Sequence, residues 1–264
     1  MCSSDLRLTN SERRRISRCP VKCRRLEIRV QSLADYITIM SAPGPLWFRG
    51  HADISWRLAP SALRYASEKQ RAEAIGLISE FKRVGEIKLP RPPQWHEDLK
   101  WVQLAQHYGV PTRLLDWTES PAVALHFACL SAETDGVVFL MNPIDLNRAS
   151  FPLKPRVFDV QRDADIISRY LVEGARKGKS LRTLAVSPVW NSERLMMQKG
   201  AFTLHGTEFD LDDRQAPSLV AIPILRESKP QLQKGLERIG IDEMTMFPEL
   251  EHACSFLKRR SGLC

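Results

Sequence analysis

Ser120-Pro-Ala-Val-Ala-Leu-His-Phe-Ala-Cys-Leu130 decides how this chain folds. A serine hydroxyl accepts from the free amides of a helix start, and proline at the first helical position has φ already set and no amide to leave unpaired. The spacing predicts a helix over 121–130 whose side chains are apolar on nearly every face. Such a helix needs cover all round, and a sheet built from its chain neighbours is the way to provide it. Gly136-Val-Val-Phe-Leu-Met141 reads as a buried strand of that sheet. Leu46-Trp-Phe-Arg-Gly50 reads as another, ended by glycine, with Ala185 to Trp190, Ala201 to His205 and Leu219 to Leu225 as three more.

Helices flank these strands. A capping box, Ser67 with Gln70, opens one that carries Ala74, Ile78 and Phe81 and stops before Pro90, Pro92 and Pro93. Leu99, Val102, Leu104 and Ala105 predict a second from Asp98 to Gly109, after which Thr112 to Ser120 reads as a connection. Leu26 to Met40 has no dominant period. Asn142 to Leu184 is legible only where Asp163 caps a helix that Gly174 to Gly178 would end. Asn191 is expected to cap a short helix to Lys199, and two helices, from Ser228 and from near Pro248, finish the chain. The fold class expected is α+β: a single domain with a small mixed or antiparallel sheet, a central buried helix and flanking helices.

With 264 residues, 43% apolar and 27% charged, the chain can bury a core without disulfide or metal staples. Its longest apolar run, Pro121 to Leu130, is about half the ~20 residues a bilayer span needs. No membrane association is expected, and no secretory leader is visible, so the expected location is cytoplasmic. Of the net charge of +8, residues 1–25 carry +6. They read as a basic, disordered arm, dispensable for folding and able to make weak, salt-dependent contact with nucleic acid, on a body of residues 26–264. Cys19 and Cys23 have no second Cys/His pair at zinc spacing, so no metal is expected. Cys129 reads as a small buried hydrophobe.

Three segments carry more polar chemistry than their surroundings require. In Trp47-Phe-Arg-Gly-His51 a guanidinium leaves a strand end beside a glycine that allows close backbone approach, a combination suited to phosphate or carboxylate. The other reading of Arg49 is a pair with an internal carboxylate such as Asp116. Gln106-His-Tyr-Gly-Val-Pro-Thr-Arg-Leu-Leu-Asp-Trp-Thr118 packs imidazole, phenol, guanidinium, carboxylate, indole and hydroxyls into thirteen residues. It reads as a binding loop, or as a polar network that fixes the loop. Glu193 to His205 passes from a short helix ending at Gln198 through Gly200 into a strand.

Together these segments resemble the FRG domain family, named for the Phe-Arg-Gly seen here at 48–50. The match runs through Asp53 and Trp56, through Gln106 to Trp117, and through Arg194 to Gln198, Gly200 and Phe202, spanning about 30–225. The family is widespread in bacteria and their phages. A weaker similarity, an aromatic residue followed by Arg-Gly on an early strand, links the chain to ADP-ribosyltransferase-like folds. That similarity implies NAD as substrate, no metal, and Arg49 with Gly50 near its phosphate and ribose groups. It implies Thr118 or Ser120 as a hydroxyl element, His107, Tyr108 or Trp117 as an aromatic one, and Thr112, Arg113 and Asp116 beside them. The late-strand glutamate that stabilises an oxocarbenium-like state falls to Gln198 or Glu208, with His107 as a further catalytic candidate. The function implied is an NAD- or nucleotide-binding, ADP-ribosyltransferase-like effector, a bacterial toxin or phage-defence protein acting on a macromolecular acceptor. The alternative is a non-catalytic module whose motifs form a structural polar core and whose arm meets nucleic acid. A hydrolase using His107 and Asp116 is a third reading and lacks a nucleophile, since Cys129 lies within an apolar helix.

Overall fold

A computed structural model describes residues 7–41, 44–153, 155–173, 181–188, 192–206 and 211–262. In chain order the elements are α1 (Asn10–Ile16), β1 (Arg24–Arg25), α2 (Leu33–Ile39), β2 (Trp47–His51), α3 (Glu68–Lys88), α4 (Asp98–His107), β3 (Leu114–Thr118), α5 (Pro121–Ala128) and β4 (Gly136–Met141). They continue with α6 (Pro143–Ser150), β5 (Phe158–Asp159), α7 (Ala164–Glu173), β6 (Leu184–Ser187), α8 (Glu193–Met197), β7 (Gly200–Leu204) and β8 (Val220–Ile224). Helices α9 (Lys229–Arg238), α10 (Glu243–Met246) and α11 (Leu250–Arg260) end the chain.

The strands form one mixed sheet in the order β1-β8-β4-β2-β3-β7-β6-β5. The outer pairs β1/β8 and β5/β6 are parallel and the rest antiparallel. This is an α+β domain, as the pattern of elements predicts, with eight strands among the described residues where a small sheet was expected. Each half is well laced: β2 pairs with β4, and β3 with β7, over five residues. The halves meet through a single pair, Phe48 opposite Thr118.

Helix α5 lies where its sequence demands. Ser120 accepts from the amide of Val123, and the Tyr36 hydroxyl donates to the Pro121 carbonyl at 2.8 Å. Ala124, Leu125 and Ala128 pack with Phe48, Val138, Ile222, Leu232 and Leu236. The helix sits against bare backbone: a Cβ on Gly50 would lie 1.9 Å from the Ala124 carbonyl oxygen, and one on Gly136 2.4 Å from that of Ala128. On the same face, α4 and α7 bring Leu99, Val102 and Ile167 onto Leu114, Phe202 and Leu204. The opposite face carries Trp47, Leu115, Trp117, Phe139 and Ala201.

Two expectations are corrected. Thr112 to Ser120 is no mere connection, because it holds β3, at the centre of the sheet. Leu115 and Trp117 point into one core and Leu114 into another, so apolar residues on both faces hide the alternation that marks a strand. Nor do residues 7–25 form a loose arm. Helix α1 has a complete Thr9/Glu12 capping box, β1 pairs with β8, and Leu8, Ile16, Cys19 and Val21 are buried in the main core. The arginines that suggested self-repulsion meet distant carboxylates: Arg13 with Glu27, and Arg15 with Asp135 and Glu227.

Smaller differences have local causes. Helix α2 starts at a Ser32/Asp35 capping box within the unassigned 26–40 stretch, and α6 at Asn142 with Pro143 in its first position. Helix α8 is capped by Ser192, and the expected cap at Asn191, like the helix end at Gly174 to Gly178, falls outside the described residues. The expected strand from Ala185 begins at Leu184 and is described to Ser187. No helix among the described residues is long and apolar enough to cross a membrane.

Candidate functional site

Beside the Phe48/Thr118 pair the sheet opens into a cleft of about 420 Å³. Phe48 and Gly50 of β2 and Asp116 and Thr118 of β3 form its floor, with Phe202 of β7. Helix α4 contributes Gln103, Gln106 and His107 to one wall, and α5 and α8 contribute Phe127, Arg194 and Gln198 to the other. The three polar segments of the sequence therefore meet: Arg49, His107 and Gln198 border one cavity.

Arg49 occupies the gap where the β2/β3 ladder stops. Its Nε donates to His51 Nε2 at 2.9 Å and its Nη1 to the Asp116 carbonyl at 2.5 Å, the bond a ladder amide would otherwise supply. The pair with Asp116 is present only in a loose form. The nearest carboxylate oxygen, Asp116 Oδ2, lies 3.8 Å away on a side chain that is 62% exposed, whereas the Arg49 side chain is only 16% exposed. A mostly buried guanidinium thus has a loose, solvated counter-ion. Burial pulls its pKa down to about 10, against the favourable field of Asp116, so it stays charged at neutral pH. His51, buried and beside this charge, is held well below the usual imidazole value, by desolvation first and then by Arg49 and Arg64. Gly50 borders the cleft, and its missing side chain also makes room for α5.

The middle segment divides between the faces of the sheet. Gln106 Nε2 donates to Asp116 Oδ1 at 2.5 Å, and the Thr112 hydroxyl donates to Gln106 Oε1, so Thr112 acts from behind the wall. His107 and Tyr108 end α4 at the cleft mouth, exposed and edge to face with ring centroids 5.2 Å apart. The Thr118 hydroxyl donates to the Gln198 carbonyl at 2.6 Å and accepts from the Ser120 amide. Arg113 points away from the cleft. It is buried and donates to the carbonyls of His205 and Leu171, and desolvation lowers its pKa to about 10. The Trp117 indole also lies on the far face, donating to Thr203 Oγ1 at 3.0 Å, which in turn meets His205 Nε2 at 3.1 Å. Arg113 therefore serves the fold, whereas Trp117 borders the cleft with its indole anchored on the far face. Strand alternation, unseen in a segment read as a loop, separates them from Asp116 and Thr118.

On the opposite wall Gln198 donates through Nε2 to the Met246 carbonyl at 2.8 Å, tying α10 down. A neutral amide so engaged does not perform a carboxylate's work. Arg194 lies over the Phe247 ring at 4.7 Å and 3.9 Å from Glu249 Oε1, a second guanidinium at the rim. Glu208 lies outside the described residues. Asp116 is then the carboxylate that lines the cleft among the described residues. Cys129 is fully buried with its thiol pushed up to about 12 by desolvation, which removes it as a nucleophile.

Gln103 was missed by sequence reasoning. It lines the cleft, is only 5% exposed, and neither Nε2 nor Oε1 has a hydrogen-bond partner. The available signal was its place three and four residues before Gln106 and His107, on one helical stripe.

The described residues contain no group of three or more His, Cys, Asp or Glu arranged to hold a metal. No curated protein and no solved structure gives a significant match to the chain. Residues 44–136 match the family model of the FRG domain, a span that runs from just before β2 to the first residue of β4.

Proposed function

We propose, from the premise that this chain is an FRG domain-containing protein, that its cleft binds an anionic, ring-bearing ligand of the nucleotide class, with NAD the first to test. The observation that supports this is Arg49: a charge taken largely out of water, braced by a neutral imidazole and a carbonyl, with its closest carboxylate loose and solvated. A buried charge lacking a tight counter-ion is costly, and an anion entering the cleft offsets that cost. Phe48, Phe127 and Phe202 offer apolar surface for rings, and Arg194 adds positive charge at the rim. On this reading the protein works in the cytoplasm, and a toxin or defence role follows only if binding is coupled to glycosyl transfer onto a macromolecule. For such transfer Asp116 is the residue placed to face a developing positive charge.

The test is calorimetric titration of NAD and ADP-ribose into the full chain and into Arg49→Lys. Lysine keeps the charge but cannot serve His51, the Asp116 carbonyl and a ligand in three directions at once. Wild-type binding with at least a tenfold loss in a folded Arg49→Lys protein is expected. Unchanged affinity in that variant, or no wild-type binding of either compound, overturns the reading.

A further inference from the structure

Gln103, Gln106 and His107 form one stripe of α4 facing the cleft, and two of the three side chains have an evident task or access to water. Gln106 is engaged through both amide atoms by Thr112 and Asp116, and His107 is exposed at the mouth. Gln103 is different. Its amide is buried with donor and acceptor both unused, in a cleft also lined by Phe48, Phe127 and Phe202. A buried amide without partners is destabilising, and a leucine or methionine would fill the same space without that cost. A carboxamide presents an acceptor and a donor in one plane, so its complement is a group with a donor and an acceptor side by side on a flat ring.

We propose that Gln103 is the specificity-determining residue of this cleft, reading the paired donor and acceptor edge of a planar ring on the ligand. This rests on the nucleotide reading above and narrows it. The edge required is found on the carboxamide of a nicotinamide ring and on the N1/N6 edge of adenine. The amide selects by pairing, while Arg49 holds the anionic part. A ligand whose ring carries only acceptors leaves the Gln103 carbonyl unpaired in a dry site, and binding sites that hydrogen-bond a polar edge discriminate strongly against analogues lacking it.

The experiment uses the full chain with Gln103→Leu and Gln103→Met, and three probes: NAD, its deamidated form bearing a carboxylate on the pyridinium ring, and ADP-ribose. Melting midpoints of the ligand-free variants equal to or above wild type are expected, because no internal bond is lost. Affinity for NAD should fall about 10- to 100-fold, the size of one or two buried hydrogen bonds. A fall for NAD alone, with wild type preferring NAD to the deamidated form, assigns the carboxamide. A fall for both NAD and ADP-ribose assigns the adenine edge. Binding that persists unaltered in both variants overturns the Gln103 assignment and leaves the nucleotide reading standing. Lowered midpoints in both variants also overturn it, by showing that the amide serves the fold. A wild-type chain that binds none of the probes overturns the nucleotide reading and this inference with it.

Discussion

Arg49 shows how one side chain can complete a fold while bordering a cleft. Truncation to alanine leaves the Asp116 carbonyl and His51 Nε2 without their donor but strands no buried carboxylate, since Asp116 is mostly solvated and keeps Gln106. Arg49→Ala should therefore cost about 2 kcal/mol in urea unfolding, the scale of an unmade buried hydrogen bond, well short of the ~3–5 expected for a broken buried ion pair. A loss at the higher end would show that the Asp116 carboxylate is the true partner. The buried histidines set the pH response. His205, on the far face, is pulled down to about 3 by burial, then by Arg113 and Arg49, and His51 and His126 are shifted the same way, with desolvation first. Below an unfolded value of ~6.5 the unfolded chain takes up protons that the folded chain refuses, so stability is full above that pH and falls steadily beneath it. Carboxylates such as Glu227, lowered to about 2 chiefly by the Arg15 hydrogen bond, add a loss only at lower pH. Melting midpoints should thus drop between about pH 7 and pH 5, and a flat profile there would show the imidazoles to be wet.

Among the elements, α5 and its two glycine contacts tolerate least. Gly50→Ala drives a Cβ into the Ala124 carbonyl, backbone against backbone, so neither side can yield by rotating a side chain. We expect a loss above ~3 kcal/mol, visible as absent or non-cooperative thermal unfolding by circular dichroism. A Gly50→Ala protein melting near wild type would mean that α5 lies farther from β2. Deleting residues 1–25 removes Leu8, Ile16, Cys19 and Val21 from the core and β1 from the sheet, and takes Arg15 from the buried Asp135. At about 1.5–3 kcal/mol per buried aliphatic side chain this should abolish cooperative folding, whereas an unchanged midpoint would restore the picture of a free arm. The contrast explains what was legible. The helix over 121–130 and the strands at 47–51 and 136–141 follow from continuous apolar runs. The apolar residues near the N-terminus are too sparse to form a period, and their arginine neighbours are neutralised by carboxylates up to 212 residues away. In the site, dense motifs exposed Arg49, His107 and Gln198. Gln103 stood alone on an otherwise ordinary helix, and its meaning lies in what surrounds it in space.

The whole molecule is larger than the stretch that matches the FRG domain model. Residues 44–136 hold β2, β3 and the helices between and after them, but β3 pairs with β7, and β2 with β4, of which only the first residue falls within that span. An isolated 44–136 fragment leaves those edges bare and should show no cooperative urea transition; a sharp one would mark it as an autonomous unit. The joint between β2 and β3 sets how the rest behaves. One residue pair links the two four-stranded halves of the sheet ladder, backed by the Arg49 clasp, by α5 and by the core on the opposite face that both halves share. Amide protons facing the joint should exchange with solvent faster than those within either half, and a molecule lodged in the cleft would act as a rivet, slowing exchange on both sides together.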